Sequence, residues 1–449
     1  MNTNSYILLA GFLTLILSPY VLRRFARQRT DTYGSFAVGE RNFGWFRITA
    51  GLSATFVGGS AVINVAGLGH TYGWAGLTDA VAISTGLIAS AILVVPRLAR
   101  QRNISLGGSL RVSGRMVNAA TGLLSTVVYT LITAAQIVAL MKVAQPFFPV
   151  PPAVLALVAT LGVAAYVIYG GYNSVTVTDV IQFLVVGTCY FAIVAIALLG
   201  AGEPAVAPAG AAALAPRPMP VDLFLLLVVP LLFVPVSQDL HIRVNAARSL
   251  PDARLGVILA GAVYLVFGVI SVNVGRSVAA AGVPLASPDD AVATFLGLHF
   301  GALAVVPTFA VLCVVVSSLD SVLFASASSL AYDFWDPVSG RSAARGKDSA
   351  HPRIATVVVL GIALAIALQV PQVLDLILSA IVIYVSVLLP MLVGRMLGRQ
   401  PRAVGVLAFV ALGAVIVLEV AEHELPFRVF IYTAAHLLAV LCLKKDTPA

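Results

Sequence analysis

The sequence has little charge and almost no cysteine. Charged residues make up 10% of the 449 positions and hydrophobic residues 60%, and the mean hydropathy is +1.00. No soluble core of this size needs so apolar a composition, which predicts an integral membrane protein. Cys189, Cys313 and Cys442 lie far apart in apolar stretches, which excludes a disulfide framework and a C-x-x-C metal motif.

Enzyme signatures are also missing. The six histidines are scattered, and there is no H-E-x-x-H, G-x-S-x-G or Walker sequence. The two longest polar segments, 201–220 and 336–353, have the composition of linkers. We therefore predict that the protein is not an enzyme, holds no cofactor or transition metal, and is not an ATP-driven pump.

What the sequence does have is a series of long hydrophobic runs. A helix that crosses a bilayer needs about 20 apolar residues, and thirteen such spans can be placed. They cover roughly 5–22, 45–70, 73–96, 116–145, 151–170, 175–200, 221–246, 254–281, 301–331, 353–371, 373–396, 402–421 and 426–443.

The positive charges indicate an orientation. With the N-terminus outside, 23 of the 27 Lys and Arg residues fall on the inner side, as the positive-inside rule requires. Those left outside are Lys142, Arg217, Arg276 and Arg428. The concentration of Lys and Arg on the inner side explains the net charge of +8, so no nucleic acid partner is expected. We predict a protein of the plasma (inner) membrane with a cytoplasmic C-terminus.

Two spans are interrupted near their middle. The second contains FVGGSAVINVAGLG (56–69), with Gly58 and Gly59, and the seventh contains LLFVPVSQDL (231–240), with Pro235. Glycine weakens a helix and proline removes a hydrogen-bond donor. In lipid, such a break is tolerated only where protein or a cavity satisfies the freed backbone. Either break alone could be a packed kink, but two breaks five helices apart indicate an inverted-repeat transporter.

The ninth span is rich in side-chain oxygen. A carboxylate at the centre of a membrane helix costs roughly 2.5–3.5 kcal/mol, yet VVSSLDSVLFASASSL (315–330) carries one among six serines. At 100° per residue, most of these oxygens share an arc of about 160°. Such a stripe either joins helices by hydrogen bonds or supplies the ligands of a small cation.

Five segments resemble the sodium:solute symporter family, and they occur in the family's order over about residues 35–335. They are FAVGERNFGW (36–45), GLSATFVGGSAVINVAGLGHTYG (51–73), YGGYNSVTVTDVIQF (169–183), SQDLHIRVNAARSLPDAR (237–254) and VVSSLDSVLFASASSLAYD (315–333). The resemblance implies an all-α polytopic membrane protein with the five-plus-five inverted repeat of the leucine-transporter fold. One of the thirteen helices precedes the repeats and two follow them.

The domain boundaries follow from this arrangement. An additional N-terminal transmembrane helix and an inner loop occupy residues 1–34, and the first repeat occupies 35–200. The second repeat occupies 201–397, and two C-terminal helices with a short inner tail occupy 398–449.

The resemblance also implies a sodium site. In the family it consists of backbone carbonyls on the broken helix and two adjacent hydroxyls on the eighth repeat helix. The matching residues here are Ala54, Val57 and Val314 for the carbonyls, and Ser317 and Ser318 for the hydroxyls.

Some members of the family hold a second sodium with an aspartate on the fifth repeat helix. That position is matched here by Asp179, near Asp320 and Ser321. Asp179 could equally anchor the inner gate, or bond to Thr176 or Gln182 on its own helix. Burial favours the neutral form of a carboxyl group, so proton coupling stays an alternative.

The solute is expected against the two breaks. The residues concerned are Gly58, Gly59, Ser60, Ala61 and Asn64 on one helix, and Pro235, Ser237 and Gln238 on the other. Free amides at a half-helix N-terminus favour an anionic group. The sugar-transporting branch has Gln and Asn at positions matching Ala61 and Ser237, so an amino acid or carboxylate is favoured over a hexose. Asp239 is expected below the site or paired with Arg243, one turn on.

These observations predict a secondary active transporter that brings a small organic solute into the cell with sodium. Its partners are the solute, the ion and the lipid bilayer. The alternatives are a proton-coupled symporter of the same fold, and a membrane module that senses a solute without moving it.

Overall fold

The computed structural model describes the chain apart from residues 1–2, 27–32, 40, 102–104, 111–114, 199–220, 286, 301–303, 341–349, 370–372, 400–424 and 444–449. The helices of the described part are α1 (Thr3–Ala26), α2 (Tyr33–Val38), α3 (Trp45–Phe56), α4 (Gly59–Tyr72), α5 (Thr78–Leu93), α6 (Val95–Gln101), α7 (Leu106–Leu110), α8 (Arg115–Ala144), α9 (Pro152–Leu198), α10 (Val221–Phe233), α11 (Gln238–Ala246), α12 (Leu250–Ala280), α13 (Ala291–Phe300), α14 (Val305–Ser328), α15 (Asp336–Ser339), α16 (Ala350–Gln369), α17 (Val373–Met396) and α18 (Leu425–Cys442).

Eight segments of the described residues are helical, long and apolar enough to cross a membrane. Two of them, Val62–Arg97 and Pro152–Tyr190, each overlap two of the spans predicted from the sequence. The predicted span 402–421 and the predicted linker 201–220 lie outside the described residues. The helical class is therefore confirmed, and the count of thirteen spans stays a prediction.

Helix α9 joins two predicted spans through a kink at a single glycine. Gly171 has φ 56° and ψ −146°, a conformation that glycine adopts without steric cost. A Cβ at this position would also lie 2.7 Å from the backbone oxygen of Phe36. The chain therefore bends here in very little space, and only glycine fits.

Both predicted helix breaks are confirmed. The first lies between α3 and α4, where Gly58 has φ −44° and ψ 161°. The second lies between α10 and α11, where the chain passes through a 3₁₀ turn (Val234–Val236) and an extended Ser237 with ψ 132°. Pro235 sits inside this turn, so the residues that weaken the helices in the sequence are those at which the helices end.

Helix α14 is the centre of the molecule. It packs against α3, α4, α8, α9 and α16, and nearly all of its side chains are buried. One of its serines, Ser326, bonds to the Thr126 carbonyl (3.0 Å) and the Thr130 hydroxyl (2.9 Å) of α8. This serine joins two helices, as the interhelical alternative expects. It lies outside the arc that contains Ser317 and Ser318.

A short backbone pairing connects the chain before α3 with the chain after α11. The Phe43 amide donates to the Ala246 carbonyl (3.2 Å), and the Arg248 amide donates to the Phe43 carbonyl (3.0 Å). The Trp45 amide next to it donates to Asp252 Oδ1 (3.1 Å). The two broken helices are thus tied together at one end, which we call the backbone clasp.

Candidate functional site

The serine pair of α14 lies directly on the backbone of the first break. Ser317 Oγ donates to the carbonyl oxygens of Ala54 (3.0 Å) and Val314 (2.9 Å). Ser318 Oγ donates to the carbonyl oxygens of Ala54 and Thr55, both at 3.1 Å. Both serines are buried, so five oxygen atoms of two helices are concentrated at one point inside the apolar core.

The break makes this contact possible. Because α3 ends at Phe56, the chain turns away and leaves its last carbonyls open to a neighbouring helix. Gly58 then lets α14 approach, since a Cβ at this glycine would overlap the Ser318 hydroxyl. The glycine that interrupts the helix is therefore also the one that admits the serines.

A small, partly open pocket lies beside this contact, and the space between its atoms amounts to about 240 Å³ with its opening included. Ala54, Val57, Val314 and Ser317 of the predicted sodium site line it. It lies between α3, α9, α12 and α14, and the remaining lining residues are Ser53, Gln182, Phe183, Val186 and Phe267. The structure thus brings together the predicted sodium residues. Val57 also turns back on α3 through its amide, which donates to the Ser53 carbonyl (2.8 Å).

A buried arginine occupies the neighbourhood of the predicted second cation site. One terminal nitrogen of Arg243 donates to Thr55 Oγ1 (2.6 Å), Asp179 Oδ2 (3.0 Å) and Ser321 Oγ (2.8 Å). The other terminal nitrogen lies 3.3 Å from Asp239 Oδ1. The guanidinium therefore joins α3, α9, α11 and α14, and we call these five side chains the arginine node.

The arginine node confirms one alternative from the sequence and shows contacts of Arg243 with other helices that the sequence analysis missed. Asp239 does pair with Arg243 one turn on. Asp179 pairs with the same guanidinium, whereas Thr176 on its own helix bonds to the Tyr172 carbonyl. From the sequence, Arg243 was considered only as an inner charge and as a possible partner of Asp239, not as a partner of Asp179, Thr55 and Ser321. The available signal was its place in a buried half-helix, where a charged group needs a partner.

Asp320 faces another set of partners. Its Oδ2 accepts hydrogen bonds from Tyr166 (2.5 Å) and Thr178 (2.9 Å), both on α9. Its Oδ1 has no hydrogen-bond partner within the described part of the chain. Of the three residues predicted for a second cation, Asp179 and Ser321 thus contact one guanidinium, and Asp320 lies with two hydroxyls instead.

The second break is held by its own contacts. Ser237 Oγ donates to the Val234 carbonyl (2.9 Å), and the Pro235 carbonyl lies 3.0 Å from His241 Nε2. The backbone amide of Gln238 donates to Tyr129 OH (2.8 Å), and the side-chain oxygen of Gln238 accepts from the backbone amide of Leu106 on α7 (2.8 Å). Gln238 therefore fixes the short helix α7 to the break.

An aromatic cluster covers this second break. Tyr129, Phe233 and Tyr384 place their ring centroids 5.8–6.4 Å apart, and Tyr384 OH donates to the Val236 carbonyl (3.1 Å). Tyr384 lies on α17, in a span that carried no distinctive motif. Of the other predicted solute residues, Asn64 is half-buried on α4. The surroundings of Gly59 and of the Ser60 and Ala61 side chains are outside what the structure describes.

Comparison with known proteins gives the family. The model of the sodium:solute symporter family matches residues 36–413. The chain belongs to this family. Membership of this family supports sodium-coupled symport by an integral membrane protein, and the resemblance seen in the sequence is confirmed. A comparison with curated proteins found no match.

Solved structures similar to this symporter are transporters. A Na⁺-coupled sialic acid symporter in a substrate-bound outward-open state shares the fold with a TM-score of 0.79 and 14% identity, over 100% of both chains. Mhp1, a nucleobase-cation-symport-1 family transporter with bromovinylhydantoin bound, follows with a TM-score of 0.55 and 18% identity, over 90% of this chain and 92% of its own. A manganese transporter of Eremococcus coleocola has a TM-score of 0.50 and 12% identity, over 89% and 92%.

Proposed function

We propose that this symporter imports an amino acid or a short carboxylate together with sodium, which binds where Ser317 and Ser318 meet the carbonyls of the first break. The observation that carries the proposal is the contact of both hydroxyls with the Ala54 carbonyl. Hydroxyl and carbonyl oxygens replace the hydration shell of a small cation without adding charge to the membrane interior. In this proposal the N-terminus is outside and the C-terminus is cytoplasmic.

Sodium at this point would couple to the solute through the broken helix. The ion bridges α3 and α14, and the same break leaves the first amides of α4 free to face a carboxylate. An ion that binds one arrangement of the two helices better than the other shifts the population towards it. One sodium moved through 100 mV supplies about 2.3 kcal/mol, before any concentration gradient is counted.

We further propose that one sodium is transported per solute. The guanidinium of Arg243 contacts Asp179 and Ser321, the residues for which the family resemblance suggests a second ion. A fixed cation at this place supplies the positive charge that the carboxylate needs, so a second sodium is not required there.

The solute proposal is tested by thermal unfolding of the purified protein. We expect amino acids or short carboxylates to raise the midpoint in sodium but not in potassium, because the ion must bind first. At one hundred times Kd the stabilisation should approach about 2.7 kcal/mol. Hexoses serve as the negative control, since Ala61 and Ser237 stand where sugar-transporting members have Gln and Asn.

Transport by the same protein is measured in proteoliposomes loaded with the stabilising solute. Counterflow of labelled solute that requires sodium supports the proposal. Sodium-dependent binding without counterflow would instead identify a solute sensor, and stabilisation by hexoses alone would contradict the proposed solute class.

Proton-coupled symport is the second candidate, and Asp320 is the observation that favours it. The core around the breaks buries three carboxyl groups, those of Asp179, Asp239 and Asp320, against one guanidinium. One sodium ion offsets part of the excess, and a proton on Asp320 would offset more.

The two candidates differ in the expected behaviour of Asp320→Asn. If sodium drives transport, the variant keeps uptake under a sodium gradient, because the amide can still accept from Tyr166 and Thr178. Thr178→Val is the matched control, since it removes one of these hydroxyls and no ionisable group. Uptake that follows an imposed proton gradient in the wild type and fails in Asp320→Asn would favour proton coupling.

A further inference from the structure

Two polar side chains of the pocket beside the first break are unusual. Ser53 on α3 and Gln182 on α9 both line this pocket, and both are buried, with Gln182 0% exposed. The Ser53 hydroxyl and both ends of the Gln182 amide have no hydrogen-bond partner among the described residues. Two buried polar side chains without a partner in the described part of the chain thus belong to one small pocket next to the predicted sodium residues.

Neighbouring hydroxyl side chains on α3 do have hydrogen-bond partners. On α3, Thr49 and Thr55 donate to the carbonyls four residues earlier, at 2.9 Å and 3.0 Å. Ser53 lies between them and makes no such bond. An amide or hydroxyl buried without a partner costs free energy, and lipid offers no water to satisfy it. A cation in the pocket would relieve this cost for the two oxygens, Ser53 Oγ and Gln182 Oε1.

The other atoms of the pocket specify what kind of ligand this is. Ala54, Val57, Val314 and Ser317 line the same space, and their oxygens are those of the proposed sodium site. The oxygens of Ser53 and Gln182 are neutral and hard, as are the hydroxyl and carbonyl groups that bind small monovalent cations. An anion or an apolar molecule would leave this set of oxygens uncompensated.

We propose that Ser53 Oγ and Gln182 Oε1 are two further ligands of the transported sodium: Gln182 holds it from α9 and Ser53 from α3, while Ser317 holds it from α14. This inference rests on the proposed function and extends it. It makes α9 part of the ion site, so sodium would bind three helices together instead of two.

The experiment is a sodium titration of the thermal midpoint of purified full-length protein, with choline replacing sodium at constant ionic strength. Gln182→Leu keeps the volume and removes the amide, and Ser53→Ala removes the hydroxyl. We expect each change to raise the half-saturating sodium concentration about tenfold, the effect of one lost polar interaction. Gln182→Glu, which keeps an oxygen at the same place, should retain the response.

A second readout separates ligation from a structural role. Without sodium, Gln182→Leu should raise the thermal midpoint, because it removes a buried polar group that has no partner. A residue that only stabilises the fold would lower it. Gln145→Leu is the matched control, since this amide donates to the Val150 carbonyl in its own loop, and its sodium titration should equal that of the wild type.

The outcomes are distinguishable. An unchanged half-saturating sodium concentration in both Gln182→Leu and Ser53→Ala overturns the inference and leaves the proposed function intact. The inference also fails if Gln182→Leu folds less stably without sodium, or if Gln182→Glu loses the response together with Gln182→Leu. A wild type whose midpoint ignores sodium overturns the proposed function, and the inference with it.

Discussion

Ser317→Ala/Ser318→Ala should abolish the response of the protein to sodium and leave it folded. The two hydroxyls make four hydrogen bonds to three backbone carbonyls, so their loss costs about 1–3 kcal/mol of folding free energy for the pair. That is within what a membrane bundle tolerates. The alanine side chain offers no oxygen to an ion, however, and the site would lose both side-chain ligands that α14 contributes.

The measurement is solute uptake into proteoliposomes under an inward sodium gradient, together with the sodium titration of the thermal midpoint. Ser326→Ala is the matched control on the same helix, because that serine bonds only to α8 residues in the described contacts. It should keep normal sodium dependence. A double variant whose uptake still follows the sodium gradient would show that the ion binds elsewhere.

Arg243→Ala should be the most destabilising single change in the core. It would leave Asp179 and Asp239 buried without the guanidinium that lies 3.0 Å and 3.3 Å from them. Removal of one partner from a buried ion pair costs about 3–5 kcal/mol. We expect a large fall in the thermal midpoint in choline, whereas Arg248→Ala, in a pair whose arginine side chain is 61% exposed, should change it little.

Sodium should restore part of the stability lost in Arg243→Ala. If the guanidinium stands in for a second ion, the freed oxygens of Asp179 and Ser321 can bind sodium, and the sodium dependence of the midpoint should become steeper than in the wild type. Asp179→Asn in the same background should remove this added steepness. A variant that stays equally unstable at all sodium concentrations would contradict the role of Arg243 as a fixed cation.

The parts of the site that could be predicted are those written in local sequence. Gly58 and Pro235 weaken a helix through their own backbone properties, so both breaks could be placed from the local sequence. Asp239 and Arg243 are one turn apart, which places them within reach on any helix. The family resemblance supplied the contact between Ser317 and Ala54, which are 263 positions apart.

The parts that could not be predicted depend on how distant helices pack. Arg243 meets Asp179 and Ser321 across separations of 64 and 78 residues, and no local pattern in the sequence links these positions. Tyr384 reaches the second break from a mostly apolar helix in which no motif marks it. Gln182 was considered only as a partner for Asp179, because a sequence does not show that a buried amide is left without a neighbour.

The backbone clasp has a consequence for the rate of the transport cycle. In the proposed orientation it fastens the cytoplasmic ends of both broken helices, through bonds made by the main chain of Phe43, Ala246 and Arg248. If solute leaves towards the cytoplasm between these helix ends, the backbone hydrogen bonds of the clasp would break and re-form once in every transport cycle. Because main-chain atoms form these bonds, the free energy needed to break them would be the same for every solute. A step limited by their opening would then have a rate that does not depend on the solute, and this rate would be set far from the solute cavity.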